Sequence, residues 1–410
     1  MLAFSLPDHE PASRVSDEWV SHPSWELVDA ASETAGIDVA ALLLDTGANQ
    51  PPTEQAHLAT FVSSLVAVDA AERFGLAPMA VLGYGLGEYT ALVAAGALGF
   101  EDGVRLVLER GAAIREGLGE IPTAAAAIVG LEDDDVEAAC ARAEGDVWVA
   151  GYDAPGRVVV SGTVEGVEGA AGFARVLGAS AIEPLAPHGG VHTPMVARAR
   201  DRLRKSLAEA TFAEADPVVV ANVDARHHAD PSDWPGLLSA QLCAPVRWRS
   251  SVRTLFNEGV RTFVEFGPGE TLALATRQCF AAKAVQSHAI STPQDLEALV
   301  DRLIATPSMR RKAVADHDQL AGRLVVSPAA GPFQPVDEVA HAAPRLAGIP
   351  SDAPTTSMRV AVGDLIGWVG DAEVRSAFAG TLGGLLVISG ERVMPSQPVA
   401  WLDARAESSP

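Results

Sequence analysis

Residues 78–114 read PMAVLGYGLGEYTALVAAGALGFEDGVRLVLERGAAI. Pro78–Gly83 is a short apolar run ending in glycine, the pattern of a strand buried on both faces of a parallel sheet. Gly83, Gly85 and Gly87 then mark a sharp turn, and Glu88–Ala97 suits a helix. A strand that turns sharply into a helix is the backbone a nucleophile elbow requires. This step predicts an α/β domain.

Outward from the turn, residues 27–48 and 56–75 carry apolar side chains at helical spacing. Residues 123–186 alternate short strands (AAAAIVGL, VWVAGY, RVVVSG) with helices (DDDVEAACARA, VEGAAGFARVLG), which predicts a small α+β subdomain inserted in the larger domain. The main domain resumes with a helix over 194–211, a VVVAN strand and the RTFVEFGPG strand and loop. A polar helical stretch follows over 294–322, and from about 323 the sequence turns to short Val-, Gly- and Pro-rich strands, the mark of a separate β module. The expected division is 1–122 with 188–290 for the large subdomain, 123–187 for the insertion, 291–322 for a connector and 323–405 for the β module.

The chain has 410 residues, enough for two or three domains, with an ordinary globular balance of 48% hydrophobic and 20% charged residues. No apolar run is long enough to span a bilayer, and MLAFSLPDHEPAS lacks the basic start of a signal peptide, so a cytoplasmic location is expected, without a membrane partner. A net charge of −23 argues against nucleic acid, whose phosphates it would repel. Cys140, Cys243 and Cys279 lie far apart and suggest free thiols rather than a disulfide framework or zinc cluster. Lysine occurs only at Lys205, Lys283 and Lys312.

With its turn and following helix, LGYGLGEYTALVAAGALGFEDGVRLVLERGAAI resembles the G-H-S-x-G-E elbow and arginine helix of malonyl-CoA:acyl-carrier-protein transacylases and polyketide acyltransferase domains. GYDAPGRVVVSG at 151–162, GGVHTP at 189–194, QLCAPVRW at 241–248 and FVEFGPGETL at 263–272 are similar to further motifs of that family, in its order, and the resemblance covers about residues 1–285. It implies the acyltransferase fold, an α/β-hydrolase-like core with an inserted ferredoxin-like subdomain. His192 stands at the family's catalytic histidine and Gln241 at the glutamine near it. The resemblance also places Arg110, Leu86, Tyr84 and His188 around the substrate, with Arg110 as the clamp for a malonyl carboxylate.

Several positions depart from that pattern. Gly85 stands where the family has its nucleophilic serine, and Tyr84 where it has the preceding histidine. Covalent acyl transfer needs an oxygen or sulfur nucleophile beside a base, and glycine supplies neither. The P-G-Q-G-S-Q loop reads Pro7-Asp8-His9-Glu10-Pro11-Ala12, the T-Q-P segment Ala56-His57-Leu58, and the asparagine-rich strand end carries Gly151 and Asp153. Acidic residues flanking an oxyanion hole weaken it, leaving the Leu86 amide as its donor. The absent serine side chain is also expected to leave room beside His192 for a water.

Residues 323–404 resemble a biotin-carboxyl-carrier (biotinyl/lipoyl) domain, a small all-β barrel-sandwich, through VVSPAAGPF, VGDLIGWV and AGTLGGLLVISGERVMPSQPVAWLD. The family attaches its group to the lysine of an A-M-K hairpin. Here GDAEVRSAFA fills the interval between Val369 and Gly380, and no lysine follows Lys312, so no biotin, lipoate or phosphopantetheine attachment is expected. Two modules thus lack their reactive group while keeping their packing pattern. This predicts an acyltransferase-like pseudoenzyme, a partner or scaffold in polyketide or fatty-acid biosynthesis. It would dock a ketosynthase, an acyl carrier protein or an acyl-CoA carboxylase component. The alternative is a residual thioester hydrolase or decarboxylase acting on malonyl-CoA or another acyl-CoA through His192 and Arg110 without an acyl-enzyme.

Overall fold

This computed structural model describes residues 1–8, 17–44, 51–185, 189–281, 284–305, 322–329, 331–337, 339, 358–376, 379–385, 389–390, 392–393 and 398–403. His188, His9 to Ala12, Lys283, Lys312 and the connector over 306–321 lie outside the described residues. The chain divides into two compact units, Met1–Val300 and Asp301–Pro410.

The first unit opens with β1 (Leu2–Leu6), buried throughout. Helix α1 (Glu26–Ala35) and helix α2 (Val39–Leu44) follow. The periodicity over 27–48 thus belongs to two helices. Gly36 separates them, adopting the left-handed conformation (φ 68°) that ends a helix without a Cβ penalty. Helix α3 (Thr53–Arg73) is apolar or small on nearly every face and is buried nearly all round over residues 56–71. Next come β2 (Ala80–Gly83), α4 (Gly87–Ala94) and α5 (Phe100–Leu118). Arg115 reaches from α5 to Glu54 on α3 through two hydrogen bonds of 3.0 and 3.1 Å, beside Gly111, where the two helices touch.

The insertion runs β3 (Thr123–Val129), α6 (Asp133–Arg142), β4 (Val147–Ala154), β5 (Arg157–Thr163), α7 (Val164–Leu177) and β6 (Ala181–Leu185). Its strands pair antiparallel in the order β4-β5-β3-β6, with both helices packed on the sheet around Ile128, Val136, Val158, Val160 and Ala170. This is a ferredoxin-like βαββαβ unit. The chain then returns through α8 (Ala197–Glu209), β7 (Val218–Val220), α9 (Trp234–Gln241), α10 (Trp248–Asn257), β8 (Thr262–Phe266), α11 (Thr271–Gln278), β9 (Gln286–Ile290) and α12 (Pro293–Ala305). Five strands form one parallel sheet in the order β7-β2-β1-β8-β9. The apolar, non-alternating strands are those of a sheet covered on both faces. The elbow leaves β2 next to the centre of this sheet, where ligands bind at the carboxyl ends of strands. Among the described residues no helix is long and apolar enough to cross a membrane.

The second unit contains β10 (Gly322–Val326), β11 (Gly331–Pro335), β12 (Arg359–Val360), β13 (Leu365–Val369), β14 (Ala372–Arg375), β15 (Gly380–Leu385), β16 (Arg392–Val393) and β17 (Pro398–Asp403). They form two four-stranded sheets, β10-β17-β15-β12 and β14-β13-β11-β16, with antiparallel pairing. Val325, Phe333, Ile366, Val374 and Leu402 are buried in its core. Val369 pairs with Ala372, so Gly370 (φ 57°) and Asp371 make a two-residue turn between β13 and β14.

Candidate functional site

Gly85 sits at the tip of the turn between β2 and α4 with φ 54°, in the left-handed region where an elbow residue is held. Both backbone groups of Gly85 are pinned. Its N–H donates to Asn222 Oδ1 at 2.8 Å, and its carbonyl accepts from Gln241 Nε2 at 2.5 Å. Asn222 Nδ2 donates to the Gly83 carbonyl at 2.7 Å, which fixes the other side of the turn. Glu88, fully buried in the first turn of α4, ties this brace together: one carboxyl oxygen accepts from the Asn222 N–H and the other from Gln241 Nε2. Burial pushes the Glu88 carboxyl up to about 7, against the lowering effect of those two donors.

His192 has φ 61°, a conformation uncommon outside glycine, and its ring is buried. Nδ1 lies 2.8 Å from the Gln241 backbone carbonyl, which can only accept, so Nδ1 carries the proton. Nε2 is thereby turned towards the elbow, buried and without a hydrogen-bond partner among the described residues. Arg110 lies on α5, nearly inaccessible at 1% exposure. Its Nη1 is 3.4 Å from His57 Nδ1 on α3, and its guanidinium lies 5.9 Å from the centre of the Tyr89 ring. The Nε and Nη2 groups of Arg110 are buried with no partner among the described residues.

The room expected beside Gly85 is taken. Asp8, two residues beyond β1, accepts a hydrogen bond from the Leu86 N–H through Oδ1 at 3.0 Å. Its Oδ2 lies 3.9 Å from His192 Nε2, an ion-pair distance rather than a hydrogen bond. A Cβ on Gly85 would meet Asp8 Oδ2 at 2.6 Å and His192 Nε2 at 2.9 Å. The expectation of a water site there is therefore corrected: the carboxylate stands where the side chain of residue 85 would extend. Burial opposes ionisation of Asp8, but the facing His192, Arg110 and His57 outweigh it and hold the carboxyl well below its usual range.

Tyr84 points the other way. Its hydroxyl donates to Asp153 Oδ1 on β4 at 2.9 Å, and Asp153 Oδ2 lies 3.6 Å from Arg157 Nε. Burial and the neighbouring Asp153 carboxyl push the Tyr84 phenol well up, so it stays a donor. A Cβ on Gly151 would fall 2.2 Å from that hydroxyl. The residue before the elbow tip is thus fitted into a gap that Gly151 leaves open.

Comparison with known proteins decides the family. Residues 15–309 match the model of the acyl transferase domain. The chain belongs to the acyl transferase family. It is 33% identical over 281 residues to the malonyl CoA-acyl carrier protein transacylase of Bacillus subtilis, covering 68% of this chain and 88% of that one. Its fold is similar to the acyl carrier protein S-malonyltransferase of Vibrio cholerae (TM-score 0.68, 30% identity, 73% of this chain and 99% of that one). A second similar structure is a malonyl-transacylase in complex with a type II polyketide synthase acyl-carrier protein (TM-score 0.69, 28% identity, 73% of this chain and 99% of that one).

Within this acyl transferase family member, Tyr84, Gly85, Leu86, His192, Gln241 and, one layer back, Arg110 converge on one end of the parallel sheet. Gln241 does so as a brace for the elbow backbone. Asp8, Glu88, Asn222, His57 and Asp153 belong to the same constellation and were not singled out as site residues from sequence. Glu88 lies inside the elbow motif and Asn222 ends the VVVAN strand, so both were in view; the side-chain path from Asp8 to Leu86 was not.

Proposed function

We propose that this acyl transferase family member is a non-catalytic partner in polyketide or fatty-acid biosynthesis. It docks an acyl carrier protein, a ketosynthase or a carboxylase component and forms no acyl-enzyme. The observation that carries this reading is that the departures fit one another. Gly85 has a carboxylate on the very spot a serine side chain needs, and Tyr84 has its hydroxyl where a Cβ on Gly151 would be. Loss of a nucleophile by drift would leave a hole; these positions are repacked. Covalent catalysis at the elbow would need an oxygen or sulfur that Gly85 does not have. The second unit is read as a biotinyl-like module without its lysine, since the β13–β14 turn is Gly370-Asp371, so neither unit would carry an acyl or prosthetic group.

The malonyl-transacylase relatives named above suggest the acyl carrier protein as the first partner to test. Native mass spectrometry of the purified chain with apo- and malonyl-carrier protein should show a complex, while free thiol released from malonyl-CoA stays at the uncatalysed rate. Turnover without a complex would reject the proposal.

A second reading is favoured by one observation: Arg110 buries two donor groups without partners. Such donors fit the carboxylate of a malonyl group, a contact worth roughly 1.5–3 kcal/mol. In that reading His192 and Arg110 hold a malonyl thioester for hydrolysis or decarboxylation. Calorimetric titration separates the two. Tighter binding of malonyl-CoA than acetyl-CoA, erased about tenfold or more by Arg110→Ala, supports the residual enzyme; absent binding of both supports the scaffold.

A further inference from the structure

We propose that Asp8 is a tethered ligand of the acyl site: its carboxylate occupies the oxyanion position of the elbow and closes the site to a thioester carbonyl. This rests on the non-catalytic reading and deepens it, since it says what keeps the inherited pocket shut.

The placement is specific. The Leu86 N–H lies at the start of α4, next to the elbow tip, where a backbone donor in this fold would face a developing oxyanion. Asp8 Oδ1 takes that donor at 3.0 Å. Oδ2 fills the direction in which a side chain on residue 85 would project, 2.6 Å from the ideal Cβ. Two buried groups face the same carboxylate: His192 Nε2, without a hydrogen-bond partner among the described residues, at 3.9 Å and, further off, the Arg110 guanidinium, whose Nε and Nη2 likewise have none there. A carboxylate satisfies such a set better than a thioester oxygen does, because a full charge on the acceptor strengthens each contact.

The tether is short. Asp8 is separated from β1 by Pro7 alone, and the Leu6 carbonyl accepts the Tyr84 N–H at 2.9 Å. The backbone that carries Asp8 is therefore hydrogen-bonded to the turn it blocks, so the carboxylate is held at high effective concentration. A carbonyl seeking Leu86 must first displace it. The pocket itself is complementary to a small free carboxylate, so removing Asp8 should expose an acetate site that the native chain fills from within.

The test is thermal unfolding of the full chain in sodium acetate against sodium chloride at equal ionic strength. Acetate should raise the midpoint of Asp8→Gly by about 3 °C or more, as a ligand binding the folded state does. It should leave the wild type unchanged and lose its effect in Asp8→Gly/Arg110→Ala. Equal shifts in wild type and Asp8→Gly, or none in Asp8→Gly, overturn the proposal. If Asp8→Gly does not fold, amide exchange of Leu86 in the wild type decides. A protected amide, slowed about a hundredfold or more, is expected, and free exchange overturns it. Neither readout depends on a carrier protein docking, so failure of the partner proposal and failure of this one are distinguishable.

Discussion

The site's behaviour turns on pairs of residues that exclude one another's alternatives. Gly151 and Tyr84 are such a pair, because a Cβ at position 151 would lie 2.2 Å from the Tyr84 hydroxyl. Gly151→Ala should therefore cost about 1–3 kcal/mol of stability as an overpacked contact. In a Tyr84→Phe background the penalty should shrink, and urea unfolding of the four proteins measures the coupling. Equal penalties in both backgrounds would show that the contact is not what makes Gly151 necessary. Glu88 offers a pH test. Its folded value near 7 lies above the ordinary 4.5, so the folded state holds a proton that the unfolded chain has lost. The contribution is complete below about 4.5 and is lost as the pH rises through 7, a decline of about 3 kcal/mol across that window. Glu88→Gln should flatten this part of the stability curve; an unchanged slope in the variant assigns it to another group. At this scale the sequence was readable where the chemistry is local. Gly85 lacks a nucleophile whatever surrounds it. That Asp8 takes its place was not readable, because residues 8 and 86 meet only once β1 and β2 pair in register.

At the scale of elements, the α3–α5 contact holds His57 and Arg110 together. A Cβ on Gly111 would approach the backbone of Glu54 to 2.3 Å, so the helices can cross this closely only with glycine there. Gly111→Ala should separate them and cost about 1–3 kcal/mol. Gly172 in α7 has open space around its missing Cβ and carries no positive φ, so Gly172→Ala should stabilise by roughly 0.5–1 kcal/mol through helix propensity. Urea unfolding of both variants gives the signs; a neutral Gly111→Ala would mean that the helices yield there. Elements with one dominant cue were legible: the β2–α4 step by its apolar run and glycines, and α3 by its length. The break between α1 and α2 was not. Apolar spacing continues across Gly36, and the decisive feature is a left-handed backbone that spacing does not encode.

Over the whole molecule, the order of motifs made the acyl transferase family legible, because five short patterns must recur in sequence to build one site. The second unit carries less information. Small β modules share Val- and Gly-rich strands for reasons of packing, and what distinguishes them is the loop chemistry. Here that chemistry is the turn at Gly370 and Asp371 with no lysine after Lys312. Protein purified from its native host should accordingly be blank on a streptavidin blot, and a band on the intact chain would reverse the reading of that turn. The acidic excess, a net charge of −23, means that an acidic carrier protein must be met by a local basic surface. Raising the salt should then weaken any such complex.

Intact mass spectrometry after incubation with malonyl-CoA reads whether an acyl-enzyme forms at the elbow. The wild type should keep its mass. Gly85→Ser should keep its mass too, since Asp8 stands 2.6 Å from the Cβ the serine would bring. A stable gain of one malonyl group on the wild-type chain would mean that the protein is acylated despite Gly85 and is no bystander to the chemistry.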